Sequence, residues 1–274
     1  MKIALTGAHG FVGSALRKKF SDHIVINRDD TPQEIVKKLQ GVNAVFNLAG
    51  APIIKRWSES YKNTLLTSRI ETTRKLVNAI NQSDVKHFVS TSAIGVYPND
   101  AGYDESFNGY TDDFLGELTQ AWEEEASNCI KPSAVVRFGV VLGKDGGALA
   151  QMLTPFKLGV GGIIGDGSMM TSWIDIDDLV SIYEYILDNT LTGTYNATSP
   201  NPISNCVFTK ALGKVLQRPT FFPIPEFVLK VLFGEGSSVL TDSKEIYPKA
   251  LLKSGFVFKY IDIETSLKHL LKHQ

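Results

Sequence analysis

The chain has 274 residues, with 28 Lys and Arg against 29 Asp and Glu, a net charge of −1, and 43% hydrophobic residues. At about 150 residues per domain, this length makes one large domain, or a large one with a smaller companion. The charge balance excludes a chain-wide polycation for nucleic acid or anionic lipid, and the apolar content excludes a disordered chain.

The first half alternates short β-branched runs with longer amphipathic stretches, as βαβ units of a parallel sheet do. Strands are predicted at 2–6, 23–27, 44–48, 87–90 and 134–138, all near-continuous apolar runs suited to burial on both faces. Between them, Thr31 and Glu34 have capping-box spacing with Pro32 at the first helical position, and helices are predicted over about 60–81 and from Phe114 through Glu125. A glycine-rich excursion from the sheet fills about 143–170, then a strand runs over 171–176, with Asp177 or Asp178 capping the helix after it. A further strand is predicted near 194–196. Beyond Pro202 the chain turns helical, with helices after Pro225, after Pro248 and from Asp262 onward. These elements predict an α/β fold: a Rossmann-type doubly wound parallel sheet over residues 1–200, and a smaller, mainly helical C-terminal domain over 201–274 that covers the substrate side.

Arg137 and Lys230 interrupt the longest apolar runs before they reach the ~18 residues of a membrane span. Thr6, Gly7, His9, Gly10 and Gly13 likewise break the uncharged stretch behind Lys2 in a way that does not suit a signal peptide. Two cysteines, Cys129 and Cys206, are too few for a disulfide framework or a four-cysteine zinc site, and read as thiols of a reducing compartment. The expectation is a cytoplasmic protein without membrane or nucleic-acid partner, with a homodimer admitted as its assembly.

Gly7, Gly10 and Gly13 form G-x-x-G-x-x-G directly after the first strand and at the start of the first helix. Glycines there allow a tight turn and a close backbone approach to a pyrophosphate, which rests on free N–H groups at the positive end of the helix dipole. NAD binders usually place an acid at the end of the second strand, but here Asn27 and Arg28 stand there. A guanidinium at that position can pair with the 2′-phosphate of NADP. In the competing reading, Asp29 or Asp30 takes the ribose and Arg28 is solvated. NADP(H) is the expected cofactor and NAD the alternative.

The longer glycine spacing, Asn-Leu-Ala-Gly at 47–50 and Ser-Thr-Ser-Ala at 90–93 resemble the extended short-chain dehydrogenase/reductases. KRW at 55–57, SRIETT at 68–73, AWEEEA at 121–126, VVRFGVVLGKDGG at 135–147, PFKLGVGG at 155–162 and WIDIDDLV at 173–180 narrow the resemblance. With VLFGEGSSVL and PKALLKSGFVFKY in the tail, they resemble an atypical branch of that family, the epimerase-family or nucleoside-diphosphate-sugar-epimerase-like proteins. The resemblance implies NADP in the crevice of a Rossmann-type sheet. It puts the phosphate loop on Gly7, Gly10, Phe11, Val12 and Gly13, and the adenosine-phosphate contact on Asn27 and Arg28. It also implies that Leu48 and Ala49 line the adenine–ribose side, that Arg69 contributes to cofactor contact, and that Val140 lies near the nicotinamide.

Ordinary members of the wider family work with a serine, a tyrosine and a lysine beyond it, and the lysine lowers the tyrosine pKa for proton transfer. Ser92 stands in the serine place, but Phe114 is at or near the tyrosine position and no lysine follows before Lys131. Tyr97 is the candidate substitute, with wall of the nicotinamide pocket as its alternative role; Tyr103 and Tyr110 lie further along the same loop. Asp175, Asp177 and Asp178 read as helix-capping carboxylates, and His269 and His273 as a solvated helix end rather than a metal site. The expected function is that of an oxidoreductase or epimerase using NADP(H) on a small polar substrate; the alternative is a non-catalytic NADP(H)-binding sensor or regulatory module.

Overall fold

A computed structural model describes residues 1–99 and 101–271. In chain order its elements are β1 (Ile3–Leu5), α1 (Phe11–Lys19), β2 (His23–Val25), α2 (Pro32–Lys38), β3 (Ala44–Asn47), α3 (Glu59–Asn81) and β4 (His87–Ala93). Next come β5 (Gly102–Tyr103), α4 (Phe114–Ser127), β6 (Ser133–Phe138), β7 (Val140–Gly143), α5 (Gly147–Lys157), β8 (Met170–Thr171), β9 (Trp173–Asp175) and α6 (Ile176–Asp188). The last part holds β10 (Gly193–Ala197), β11 (Ile203–Ser204), α7 (Asn205–Leu216), α8 (Glu226–Phe233), α9 (Ser238–Thr241), β12 (Glu245–Ile246), α10 (Lys249–Ser254) and α11 (Ile263–Leu271).

Six strands form one parallel sheet in the order β10-β6-β4-β3-β1-β2. The strand order reverses at β1, which pairs with β2 on one side and β3 on the other, and a crevice opens beyond the carboxyl ends at such a switch point. Alternation along each strand divides the apolar side chains between two layers. Ile3, Leu5, Phe46, Val89 and Val136 face α1 and α6, whereas Ala4, Val45, Phe88 and Val135 face α2, α3 and α4. Phe208, Leu212, Phe256, Ile263 and Leu267 of the C-terminal segment join the first of these layers, so the tail packs into the same core as the sheet.

The local signals act as their chemistry dictates. Thr31 and Glu34 close a reciprocal capping box on α2, and Ser58 caps α3 by accepting from the Tyr61 N–H. The 171–176 strand is shorter than predicted, because the Asp175 side chain accepts from the Asp177 N–H and starts α6 at Ile176. The glycine-rich excursion holds a helix of its own, α5, whose apolar face (Leu149, Leu153, Phe156) enters the core. Among the described residues, no helix is long and apolar enough to cross a membrane.

Candidate functional site

A cavity of about 290 Å³ lies at the switch point, walled by the segments that leave β1, β2 and β3 and by one face of α3. Gly7 adopts a positive φ of +63°, and a Cβ there would come within 2.6 Å of the Leu48 carbonyl oxygen. A Cβ on Gly13 would run into the Gly7 carbonyl, so glycine lets the loop fold back on itself and α1 start close to the sheet. Gly10 caps α1 without a side-chain hydrogen bond and the first turn carries no acid, which leaves that helix start open to an anion. Phe11 points elsewhere. Its ring fills the space where Cβ atoms of Gly143, Gly146 and Gly147 would stand, fastening the glycine-rich excursion to the loop.

Of the residues singled out in the sequence, Gly7, Gly10, Asn27, Arg28 and Ala49 line this cavity, as does His9. Phe11, Val12, Leu48 and Val140 are instead partly buried against the core. After β2, the Asp30 carboxylate accepts from the Asn27 N–H (2.7 Å) and pairs with Lys38. Burial raises its pKa, but the bonds from Lys38 and Asn27 outweigh burial and hold it below the usual carboxylate value. Asp30 is therefore committed to its own loop and to Lys38 at the end of α2, while Asn27, Arg28 and Asp29 are exposed.

The Thr6 hydroxyl organises the exit from β3, donating to Asn47 Oδ1 (2.8 Å) and accepting from the N–H groups of Leu48 (3.0 Å) and Ala49 (3.1 Å). Asn47 in turn donates to Thr73 on α3 (2.7 Å). Arg69 supports the same wall from behind. Its guanidinium donates to the Ala51 carbonyl (3.0 Å), lies over the Trp122 ring at 5.3 Å, and would stand 3.0 Å from a Cβ on Gly50. Burial pulls its pKa down to about 10, so it stays charged at neutral pH.

At the carboxyl end of β4, Ser92 donates to Glu123 Oε1 at 2.6 Å. Glu123 is gripped bidentately by Arg137, from Nε to Oε1 and Nη2 to Oε2, both at 2.8 Å. Arg137 Nη1 also donates to the Tyr97 hydroxyl (2.8 Å), which donates to Asn196 Oδ1 (2.8 Å). Ser92 and Tyr97 are thus joined through Glu123 and Arg137, and neither lines the cavity. Tyr97 is fully buried beneath Tyr103 and Phe107, burial raises its pKa, and its hydroxyl both gives and receives a bond inside the protein. Sequence reasoning passed over the Glu123–Arg137 pair; its one signal was a charged residue inside the apolar strand AVVRF.

The start of α4, where tyrosine and lysine are missing, is apolar. Phe114 packs edge-on against Trp57 at 5.2 Å, in a cluster that includes Leu65, Leu115, Leu118 and Val239. Residues 3–197 match the NAD dependent epimerase/dehydratase family, and residues 224–270 match a domain of unknown function, DUF1731. The chain belongs to the NAD dependent epimerase/dehydratase family. It is 35% identical to the chloroplastic epimerase family protein SDR39U1 homolog of Arabidopsis thaliana, over 99% of this chain and 87% of that one. It is 33% identical to epimerase family protein SDR39U1 of Mus musculus, over 99% and 100% of the two chains. The crystal structure of human epimerase family protein SDR39U1 with NADPH superposes with a TM-score of 0.93 at 32% identity, covering 100% of both chains.

In this epimerase-family chain the acidic cluster where β9 meets α6 does more than cap a helix. Asp175 accepts from the Ser266 hydroxyl (2.6 Å), Asp177 meets His269 Nε2 (2.8 Å), and Asp178 accepts the N–H groups of Lys259 and Tyr260 (both 2.9 Å). Three carboxylates at one helix start therefore hold three points of the C-terminal segment; His273 lies outside the described residues. Burial pushes the Asp175 pKa up to about 6, against the pull of Ser266 and the Asp177 N–H. The folded state then binds more protons than the unfolded one between about 4 and 6, so this group's contribution is lost as pH rises through about 6. Asp175→Asn keeps the Asp177 N–H bond on its one oxygen and turns the other contact round, its amide donating to the Ser266 hydroxyl, and is expected to gain about 1–3 kcal/mol over the parent between pH 4 and pH 7.5. Urea denaturation of both proteins at the two pH values checks this, and parallel pH profiles would refute it.

Proposed function

We propose that this chain binds NADP(H) in the crevice beyond β1, β2 and β3. The observation that carries the reading is the end of the cavity after β2: Asp30 is tied to Lys38 and Asn27, and Arg28 stands on the rim. A ribose 2′-phosphate there meets a guanidinium, whereas the ribose diol of NAD finds no uncommitted Asp30. The glycine cradle fits the pyrophosphate: Gly7, Gly10 and Gly13 permit the approach, and the N–H groups of Phe11 and Val12 at the start of α1 receive its charge. Ala49 lines the adenine–ribose side with Leu48 packed behind it, Arg69 holds that wall in place, and Val140, partly buried against the core, is assigned to the nicotinamide end. The human relative crystallised with NADPH supports this assignment. Calorimetry is expected to give tighter binding of NADPH than of NADH, with most of the difference erased in Arg28→Ala. Equal affinities in the unmodified protein would overturn the reading.

When bound, the nicotinamide supplies or accepts a hydride. The oxidoreductase or epimerase reading gives Ser92 the task of orienting an oxygen of a small polar substrate, under the cover of residues 201–274. That cover is supported by the pairing of β12 with β5, the bond from Lys244 Nζ to the Tyr97 carbonyl, and Val239 packed near Trp57. The apolar start of α4 and the buried Tyr97 favour the second reading, a sensor or regulatory module that holds NADP(H) without rapid turnover. With a panel of carbonyl compounds, absorbance at ~340 nm is expected to show retention of bound NADPH. Consumption that disappears in Ser92→Ala would establish the oxidoreductase instead. Tyr97→Phe separates the roles of that residue: it is expected to cost about 1–3 kcal/mol of stability, because Arg137 and Asn196 lose a buried partner, and to leave NADPH affinity unchanged. A loss of affinity without a loss of stability would return Tyr97 to the ligand site.

A further inference from the structure

Lys75 has no part in the glycine loop or in the Asn27–Arg28 signal, yet the fold brings it to the same place. From the middle of α3 its side chain crosses to the loop after β2, where Nζ donates to the carbonyl of Arg28 (3.0 Å) and the carbonyl of Asp30 (2.6 Å). It lines the cavity together with Arg28. Two carbonyl dipoles satisfy two of the ammonium's three N–H donors but carry no net charge of their own. Asp30 lies close enough to feel this charge, but its single carboxylate is shared: it bonds to Lys38 and accepts the Asn27 N–H. A phosphate monoester carries a charge of about −1.5 to −2 at neutral pH, more than one guanidinium matches.

We propose that Lys75 is the second cation of a 2′-phosphate subsite shared with Arg28, and a determinant of preference for NADP(H) over NAD(H). The inference rests on the cofactor reading above and adds a residue to it. Lys75 acts twice: it fixes the backbone from which Arg28 projects, and it places a second positive charge beside the phosphate. A lysine that only braced the loop would affect both dinucleotides alike, and one that acted only through Arg28 would have no further effect on NADPH in an Arg28→Ala background. A phosphate-binding lysine affects only the ligand that carries the 2′-phosphate.

The test is calorimetry on the full chain with NADPH, NADH, 2′,5′-ADP and 5′-ADP. Lys75→Met is expected to weaken NADPH and 2′,5′-ADP about tenfold, and NADH and 5′-ADP less than about twofold. Lys75→Arg is expected to restore most of the NADPH affinity, and the salt dependence of NADPH binding is expected to be shallower in Lys75→Met. Equal weakening of NADPH and NADH in Lys75→Met, or no weakening of either, overturns the proposal. If the unmodified protein shows no preference and Arg28→Ala changes nothing, the cofactor reading itself fails, and that result is visible before any Lys75 variant is made.

Discussion

Arg137→Met is expected to cost about 3–5 kcal/mol of folding stability, the largest loss of any single substitution considered. Arg137 is only 7% exposed and holds both oxygens of Glu123, so its removal leaves a buried carboxylate with the Ser92 hydroxyl as its remaining donor. It also takes away the donor that faces the Tyr97 hydroxyl. Glu123→Leu alone leaves the buried guanidinium uncompensated and is expected to be costly as well. The double variant Glu123→Leu/Arg137→Met removes both charges and is expected to recover much of the loss, since a buried pair offsets little more than its own desolvation. Arg137→Lys does not rescue, because an ammonium cannot reproduce the fork that binds Glu123 at two points and Tyr97 at a third. Urea denaturation of the four variants measures the cycle. A loss below about 1 kcal/mol for Arg137→Met would mean that water already screens the pair.

Gly13→Val is expected to abolish NADPH binding while the sheet still forms. The added Cβ meets the Gly7 carbonyl, so α1 must move away from the loop and its N–H groups leave the pyrophosphate position. Gly7→Ala acts by a second route: its φ of +63° costs an alanine about 1–2 kcal/mol, and its Cβ presses on the Leu48 carbonyl at 2.6 Å. At least a hundredfold loss of NADPH affinity is expected for Gly13→Val, read by calorimetry, with circular dichroism showing retained secondary structure. Gly41→Ala is the control. Its φ of +69° carries the same backbone strain, but nothing lies within 4 Å of the added Cβ, so stability falls and affinity does not. Normal affinity in Gly13→Val would remove the glycine loop from the site.

Much of this was legible in the sequence because local chemistry determined it. Apolar runs at 2–6, 44–48 and 134–138 became β1, β3 and β6; the Thr31–Glu34 box started α2; the glycine spacing marked the turn after β1. The features that escaped depend on register between distant segments. Glu123 and Ser92 meet Arg137 only because β4 and β6 pair with Ser92 opposite Arg137, which no spacing along the chain reveals. The two-residue ladder of β5 with β12 is too short to carry a periodic signal, yet it brings the tail to the segment that follows β4. The acidic cluster marks the helix start, although Asp175 caps it and the expected caps Asp177 and Asp178 lie in its first turn; their second task, holding residues 259–269, appears only when the tail is in place. Gly143, Gly146 and Gly147 read only as part of a glycine-rich excursion from the sheet; in the fold they clear space for Phe11. Long side chains were the least legible of all, since Lys75 and Arg69 act at points well away from their own backbone.

The central claim, that the crevice beyond β1, β2 and β3 holds NADP(H) with its 2′-phosphate on Arg28, is tested most directly by a crystal structure of the chain with NADPH. The pyrophosphate is expected at the N–H groups of Phe11 and Val12, and the 2′-phosphate within hydrogen-bond distance of the Arg28 guanidinium. A dinucleotide bound elsewhere, or a 2′-phosphate turned away from Arg28 into solvent, would contradict it.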